Sequence, residues 1–221
     1  MTFKEVKDVC LEQNFYFAIA VGMESEFSHC SIIYKWDSKI KTLDFYIGKI
    51  RNSLTYGDLH HRGYLYVNYN RTQILDDFAI QIPSLCELIA EKNDILDFGI
   101  TFNKSKFDSS GKLILQEGDF GLTCATFILS IFESAGIPLI DYENWKHRDE
   151  DAKWHKHVLE FFTDNKFSDE LINHCKTNGG CFRYRPEEVA VSSTDNQLPS
   201  SYDFCIEKGE NLIYAIKNGI E

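Results

Sequence analysis

His29-Cys30-Ser31-Ile32-Ile33-Tyr34-Lys35-Trp36, followed after Asp37-Ser38-Lys39 by Thr42-Leu43-Asp44-Phe45-Tyr46-Ile47, is the stretch that decides the fold. Both runs are β-branched and aromatic, the composition that fits a pleated, half-buried surface. A two-residue turn at Asp37 and Ser38 fixes the register, with Trp36 opposite Lys39, Ser31 opposite Asp44 and His29 opposite Tyr46. Side chains alternate with a period of two, so His29, Ser31, Asp44 and Tyr46 share one sheet face. Asp44 then lies diagonal to His29, within reach of orienting its ring.

An imidazole held by a carboxylate is half of a nucleophilic site, and the other half is a thiol or hydroxyl. The chain offers Cys124, which opens the apolar run Cys124-Ala125-Thr126-Phe127-Ile128-Leu129-Ser130-Ile131-Phe132 after the turn-like Gly118-Asp119-Phe120-Gly121. In the first turn of a buried helix, unpaired N–H groups and the positive end of the helix dipole favour thiolate over thiol. That helix is expected to stop at Gly136, with Pro138 just beyond. A lone cysteine in an apolar run is more often a packing residue. Here a strand histidine, a carboxylate on the neighbouring strand and a glycine-bearing loop supply base, orienter and backbone donors. The Gln116 side chain, eight residues before Cys124, is a weak candidate for an oxyanion donor.

Outward from these two segments, residues 3–13 read as a short helix, and 15–21 and 63–69 as strands. Pro83 to Glu91 reads as a helix, 97–102 and 112–115 as strands, and 144–157 as a solvated helix face. Asn178-Gly179-Gly180 marks a turn, 182–190 an extended piece, 192–201 a polar loop, and a terminal helix starts near Ile206. The expected class is α+β, an antiparallel sheet packed against a buried helix with Cys at its N-terminus. It forms one domain over 1–221 with a less regular C-terminal third.

The 221 residues are 43% hydrophobic with a net charge of -11. A core of full size is affordable, and a polyanionic partner is disfavoured, because phosphate backbones are bound by clustered Lys and Arg. Nucleic acid is therefore not an expected partner. Seven cysteines without a repeating spacing point to a reducing compartment, and no run is long enough to span a bilayer. A cytoplasmic protein is the expectation. His60 and His61 compete weakly with His29 as base. His155, His157, His174, Cys175 and Cys181 are of ligand type but lack zinc-site spacing, so no metal or other cofactor is expected.

The segments Ser28-His29-Cys30-Ser31-Ile32-Ile33-Tyr34, Leu43-Asp44-Phe45 and Gly121-Leu122-Thr123-Cys124-Ala125-Thr126-Phe127-Ile128 resemble the circularly permuted papain-like proteins, whose relatives include NlpC-type cell-wall endopeptidases, YiiX-like hydrolases and lecithin:retinol acyltransferase-like proteins. The resemblance covers roughly residues 27–138. In ordinary papain-like chains the Cys helix comes first; in permuted members the strand His precedes it, as in the order His29, Asp44, Cys124. The resemblance implies a thiol-dependent hydrolase, an amidase or peptidase. Cys124 would be its nucleophile, with its backbone N–H the oxyanion donor, His29 its base and Asp44 its orienter, acting through a thioester on a peptide or peptidoglycan-derived substrate. Two alternatives stay open: an acyltransferase or thioesterase acting on an acyl substrate, and a papain-like binding module without activity.

Overall fold

The computed structural model describes residues 3–11, 15–52, 54–70, 72–74 and 79–219. A six-stranded antiparallel sheet forms its centre: β1 (Lys4–Glu5), β2 (Phe17–Glu24), β3 (Phe27–Trp36), β4 (Lys39–Tyr46), β5 (Lys49–Arg51) and β6 (Leu65–Asn68), in the order β1-β6-β2-β3-β4-β5. A two-stranded ribbon, β7 (Lys106–Phe107) with β8 (Leu113–Ile114), stands apart. The helices among the described residues are α1 (Tyr56–His61), α2 (Gln81–Lys92), α3 (Cys124–Ser134), α4 (Asp151–Asp164), α5 (Asp169–Thr177), α6 (Pro186–Ser192) and α7 (Tyr202–Asn218). The class is α+β.

Asp37 and Ser38 take φ of 46° and 63°, the two left-handed conformations of a type I′ turn. The β3–β4 register follows: Trp36 faces Lys39 and Ser31 faces Asp44. Ile47 and Gly48 make a second turn of the same kind, with φ of 46° and 80°, and bring Arg51 opposite Asp44. The β3–β4 ladder stops at Ser31–Asp44, so His29 and Cys30 keep their partners on β2 but have none on β4. This opening is where the site forms.

The period of two sorts the sheet into faces. Phe17, Ile19, Val21, Cys30, Ile32, Tyr34, Leu43 and Phe45 join the main core with α3. Ala18, Ala20, Ile33, Tyr64 and Tyr66 face the other way, under Val6, Val9 and Leu59. Ala125 to Phe132 are buried without interruption, as expected for a helix apolar on all sides and wedged into a core. Thr123 caps α3, accepting from the Thr126 amide while Thr126 Oγ1 accepts from the Thr123 amide at 2.7 Å. The helix ends at Ser134, and Gly136 with φ 71° turns the chain away.

Several expectations are corrected. Within 3–13 the chain forms a short strand and a 3-10 turn over Val6–Leu11, and residues 12 and 13 lie outside the described residues. Residues 97–102 form no strand, only a parallel bridge between Phe98 and Leu122. Here two backbones meet: a Cβ on Gly121 would lie 2.0 Å from the Asp97 carbonyl oxygen. Glycine at 121 lets this segment seat the approach to α3. The stretch 182–190 is not extended throughout, because Pro186 sits at the first position of α6 and the Glu188 carboxylate accepts from the Arg185 amide at 3.2 Å. The terminal helix starts at Tyr202, where Ser201 caps it.

Candidate active site

His29 and Cys30 project to opposite faces of β3 at the point where β4 has left the ladder. Cys124, the first residue of α3, packs against the core cluster that holds Cys30 and lines the same cleft as His29. His29 is 4% exposed, whereas Cys124 is partly exposed. One face of the ring is edged by Tyr46, with centroids 5.6 Å apart. Gly22 lies directly across from His29 on β2, and a Cβ there would fall 2.3 Å from the Tyr64 ring. The missing side chain makes room for Tyr64 beside the histidine.

Asp44, 1% exposed, is held from three sides. His29 Nε2 lies 2.9 Å from Oδ2, Ser31 Oγ donates to the same oxygen at 3.3 Å, and Arg51 Nε donates to Oδ1 at 2.9 Å while its Nη2 reaches Oδ2. Burial works to raise the Asp44 pKa, but the His29 and Arg51 hydrogen bonds and charges outweigh it and hold the carboxyl below its usual range. Arg51 itself lies over the Tyr46 ring at 4.3 Å. With Nε2 engaged by Asp44, Nδ1 is the nitrogen left for the thiol.

Cys124 and His29 shift in opposite directions. Burial pushes the His29 ring toward neutrality, but the Cys124 thiolate beside it and the Asp44 carboxylate prevail and lift its pKa to about 9. Cys124 falls well below the ordinary thiol range; hydrogen bonding from the Cys30 side chain leads, burial opposes it, and the charge and hydrogen bond of His29 and the Cys30 amide add to the lowering. Both shifts favour a thiolate–imidazolium pair over the neutral thiol and imidazole. As the first residue of α3, Cys124 has no carbonyl four residues back within the helix for its own amide to bond.

The pair opens onto a cleft of about 440 Å³. Its walls are Phe27, Phe45, Tyr46, Phe98 and, from α4, Trp154, Val158, Phe161 and Phe162, with Glu24 and Glu26 at the rim. His157 also lines it, against Phe27 with ring centroids 4.9 Å apart. A larger hollow of about 650 Å³ lies around Tyr34, Trp36, Lys41 and Glu87, but neither cysteine nor histidine lines it, and the Glu87 carboxylate is occupied by Tyr34 and Lys41, each at 2.6 Å.

Cys124, His29 and Asp44 are thus brought together, and Gln116 is not. Its side chain is exposed outside the cleft, and the Gly118–Gly121 turn that follows carries it away, its amide bonded to Ser105 Oγ at 2.9 Å. His60 and His61 lie at the end of α1, away from the cleft. Among the described residues no group of three or more His, Cys, Asp or Glu is arranged to hold a metal ion. His155 Nε2 instead lies 2.6 Å from the Cys175 carbonyl. No helix among the described residues is long and apolar enough to cross a membrane.

Three contributors escape a purely local reading of the sequence: Arg51, Cys30 and the α4 wall. Arg51 was findable by extending the hairpin logic through Ile47-Gly48. The wall was findable from Trp154, Val158, Phe161 and Phe162, which recur at the i, i+4, i+7, i+8 spacing of one helix face. Cys30 carries no such signal. No protein-family model, curated protein or solved structure matches the chain.

Proposed function

We propose that this protein is a cysteine-dependent acyl hydrolase of the permuted papain-like type, with Cys124 as nucleophile, His29 as acid and base, and Asp44 as orienter. The observation that carries the reading is the Cys124–His29–Asp44 array, opening on a cleft with one partly exposed, strongly acidified thiol. A cysteine retained for packing alone would not need an imidazolium partner fixed by a buried carboxylate. The order of the three residues, and a Cys-bearing helix packed on an antiparallel sheet, support the papain-like assignment.

In this mechanism the thiolate attacks an amide, ester or thioester carbonyl, and the Cys124 N–H stabilises the tetrahedral oxyanion. The His29 imidazolium protonates the leaving group as the carbon–heteroatom bond breaks. The thioester then yields to water deprotonated by the now neutral imidazole, and the thiolate and imidazolium are restored. Asp44 keeps the ring oriented and supports its positive charge.

The aromatic cleft favours a large apolar group on the acyl side, either a fatty-acyl-like chain or a bulky side chain of a peptide. It also keeps the second reading, thioesterase or acyl transfer, in view, since an apolar enclosure can protect the thioester until an amine or alcohol arrives. The test is intact-mass analysis after mixing with a p-nitrophenyl ester of a medium-chain acid. The expected result is an acyl adduct mapped to Cys124 and absent from Cys124→Ala. No adduct on any residue, with no ester turnover, contradicts the reading.

A further inference from the structure

We propose that the hollow of about 200 Å³ between the start of α4 and the segment 179–183 is a binding subsite for a carboxylate, with the Arg183 guanidinium as the group that recognises it. Arg148, Arg183 and Arg185 converge on Asp151, and they are not equally served. Arg185 donates to Oδ1 from Nη2 and Nε at 2.8 and 3.2 Å. Arg148 donates to Oδ2 from Nε at 3.1 Å, and its other two nitrogens are taken by Glu188 and the Arg183 carbonyl. Arg183 has one contact, from Nη1 to Oδ1 at 3.5 Å, beyond the ordinary range for an N–H donor. Its side chain is 12% exposed, so its other N–H groups are largely withdrawn from water with no acceptor among the described residues. Buried donors are paired as a rule, and an unpaired guanidinium on a cavity wall is a place where a ligand supplies the acceptor.

The surroundings select the ligand. The guanidinium lies over the Trp154 and Phe27 rings, 4.5 and 5.8 Å from their centroids, which steadies its charge but gives no N–H an acceptor. Burial and the neighbouring Arg185 charge lower the Arg183 pKa to about 10, and an anion in the hollow opposes both. The nearby Glu187 and Glu188 carboxylates are already held by Ser28 and Arg148. His147, Arg148 and His155 line the hollow with Arg183, but so do Asp149 and Asp151. That mixture disfavours a doubly charged phosphate, whereas a planar carboxylate with one charge fits the fork of a single guanidinium. Trp154 and Phe27 also line the cleft of Cys124, so the carboxylate belongs either to a substrate whose apolar part fills that cleft or to a separate small acid. None of these contacts involves Cys124, and the site is tested by binding, not by turnover.

The experiment is isothermal titration calorimetry of the full-length protein at low ionic strength with sodium propionate, sodium octanoate and sodium phosphate, with circular dichroism as the check on folding. Wild type is expected to bind propionate saturably, and Cys124→Ala to bind it as wild type does, which separates this site from the nucleophile. Arg183→Met is expected to abolish the binding and Arg183→Lys to weaken it about tenfold, because an ammonium lacks the fork that engages both oxygens. Octanoate bound more tightly than propionate, with the gain lost in Phe161→Ala, assigns the carboxylate to a substrate that also occupies the cleft. Equal affinities for the two acids assign it to a separate small acid. No saturable propionate binding by wild type, or binding that a folded Arg183→Met or Arg183→Lys leaves unchanged, overturns the site. Phosphate bound more tightly than propionate overturns the choice of carboxylate.

Discussion

Nε2 of His29 lies 2.9 Å from Oδ2 of Asp44 across a buried gap between adjacent strands, and both side chains are almost wholly withdrawn from water. An amide at position 44 could still accept from the neutral ring but would not support an imidazolium. Asp44→Asn is expected to lower the rate of acyl-enzyme formation by about 10²- to 10⁴-fold, the range for loss of an orienting carboxylate. Stopped-flow release of p-nitrophenol measures it. A change of less than about threefold would remove Asp44 from the site.

Arg51 is expected to matter for stability as well as rate. Arg51→Met leaves Asp44 buried with its strongest cation gone, although the Arg51 side chain is 23% exposed, so the full penalty of a broken buried pair does not apply. A loss of about 1–3 kcal/mol in urea unfolding is predicted. Arg51→Lys should recover only part of it, since an ammonium lacks the fork that engages both carboxylate oxygens. Full recovery by lysine would show that charge alone suffices.

The pH dependence follows from the two opposed shifts. The shift of Cys124 well below the ordinary thiol range predicts an acid limb of the rate profile displaced to lower pH than that of an ordinary thiol. His29 holds its proton up to about pH 9; above that, the general acid for leaving-group departure is lost and kcat/KM falls. The predicted profile is a bell with its alkaline limb near pH 9. A rate that climbs steadily through pH 8 to 10, as for an ordinary thiol, contradicts the ion pair.

Trp154 tests the cleft. It lines the wall and carries the Arg183 guanidinium 4.5 Å from its ring centroid. Trp154→Ala is predicted to raise KM for a long-chain acyl ester by about tenfold, equivalent to ~1.4 kcal/mol, while the acetyl ester is affected much less. Equal effects on both esters would mean that the wall serves folding and not substrate.

The sequence made some of this legible and hid the rest for identifiable reasons. Asp37-Ser38 announced its turn, and the register that placed Asp44 beside His29 came with it, because a two-residue hairpin leaves no freedom in pairing. Gly136, with Pro138 just beyond, marked the end of the Cys124 helix, whereas the Thr123 cap came only with the structure. The α6 helix was missed because seven residues are too few to show a period; its signals were Pro186 and the Arg185–Glu188 cap. The solvated face read over 144–157 is found at Ala152, Lys153, Lys156 and His157, but the helix begins only at Asp151, and its other side, with Trp154 and Val158, lines the cleft. Gln116 illustrates the opposite limit: proximity in sequence to Cys124 says nothing about direction once a glycine-rich turn intervenes.

The most direct test of the central claim is carboxymethylation by iodoacetamide at pH 6, with each cysteine followed by peptide mapping. An unperturbed thiol is below about 1% thiolate at that pH, so the free thiols at Cys30, Cys86, Cys175, Cys181 and Cys205 should stay essentially unmodified while Cys124 is labelled. Cys124 is predicted to react at least about tenfold faster than a model thiol, and His29→Ala to abolish that advantage. Labelling of Cys124 no faster than the model thiol, or unchanged by His29→Ala, would contradict the account.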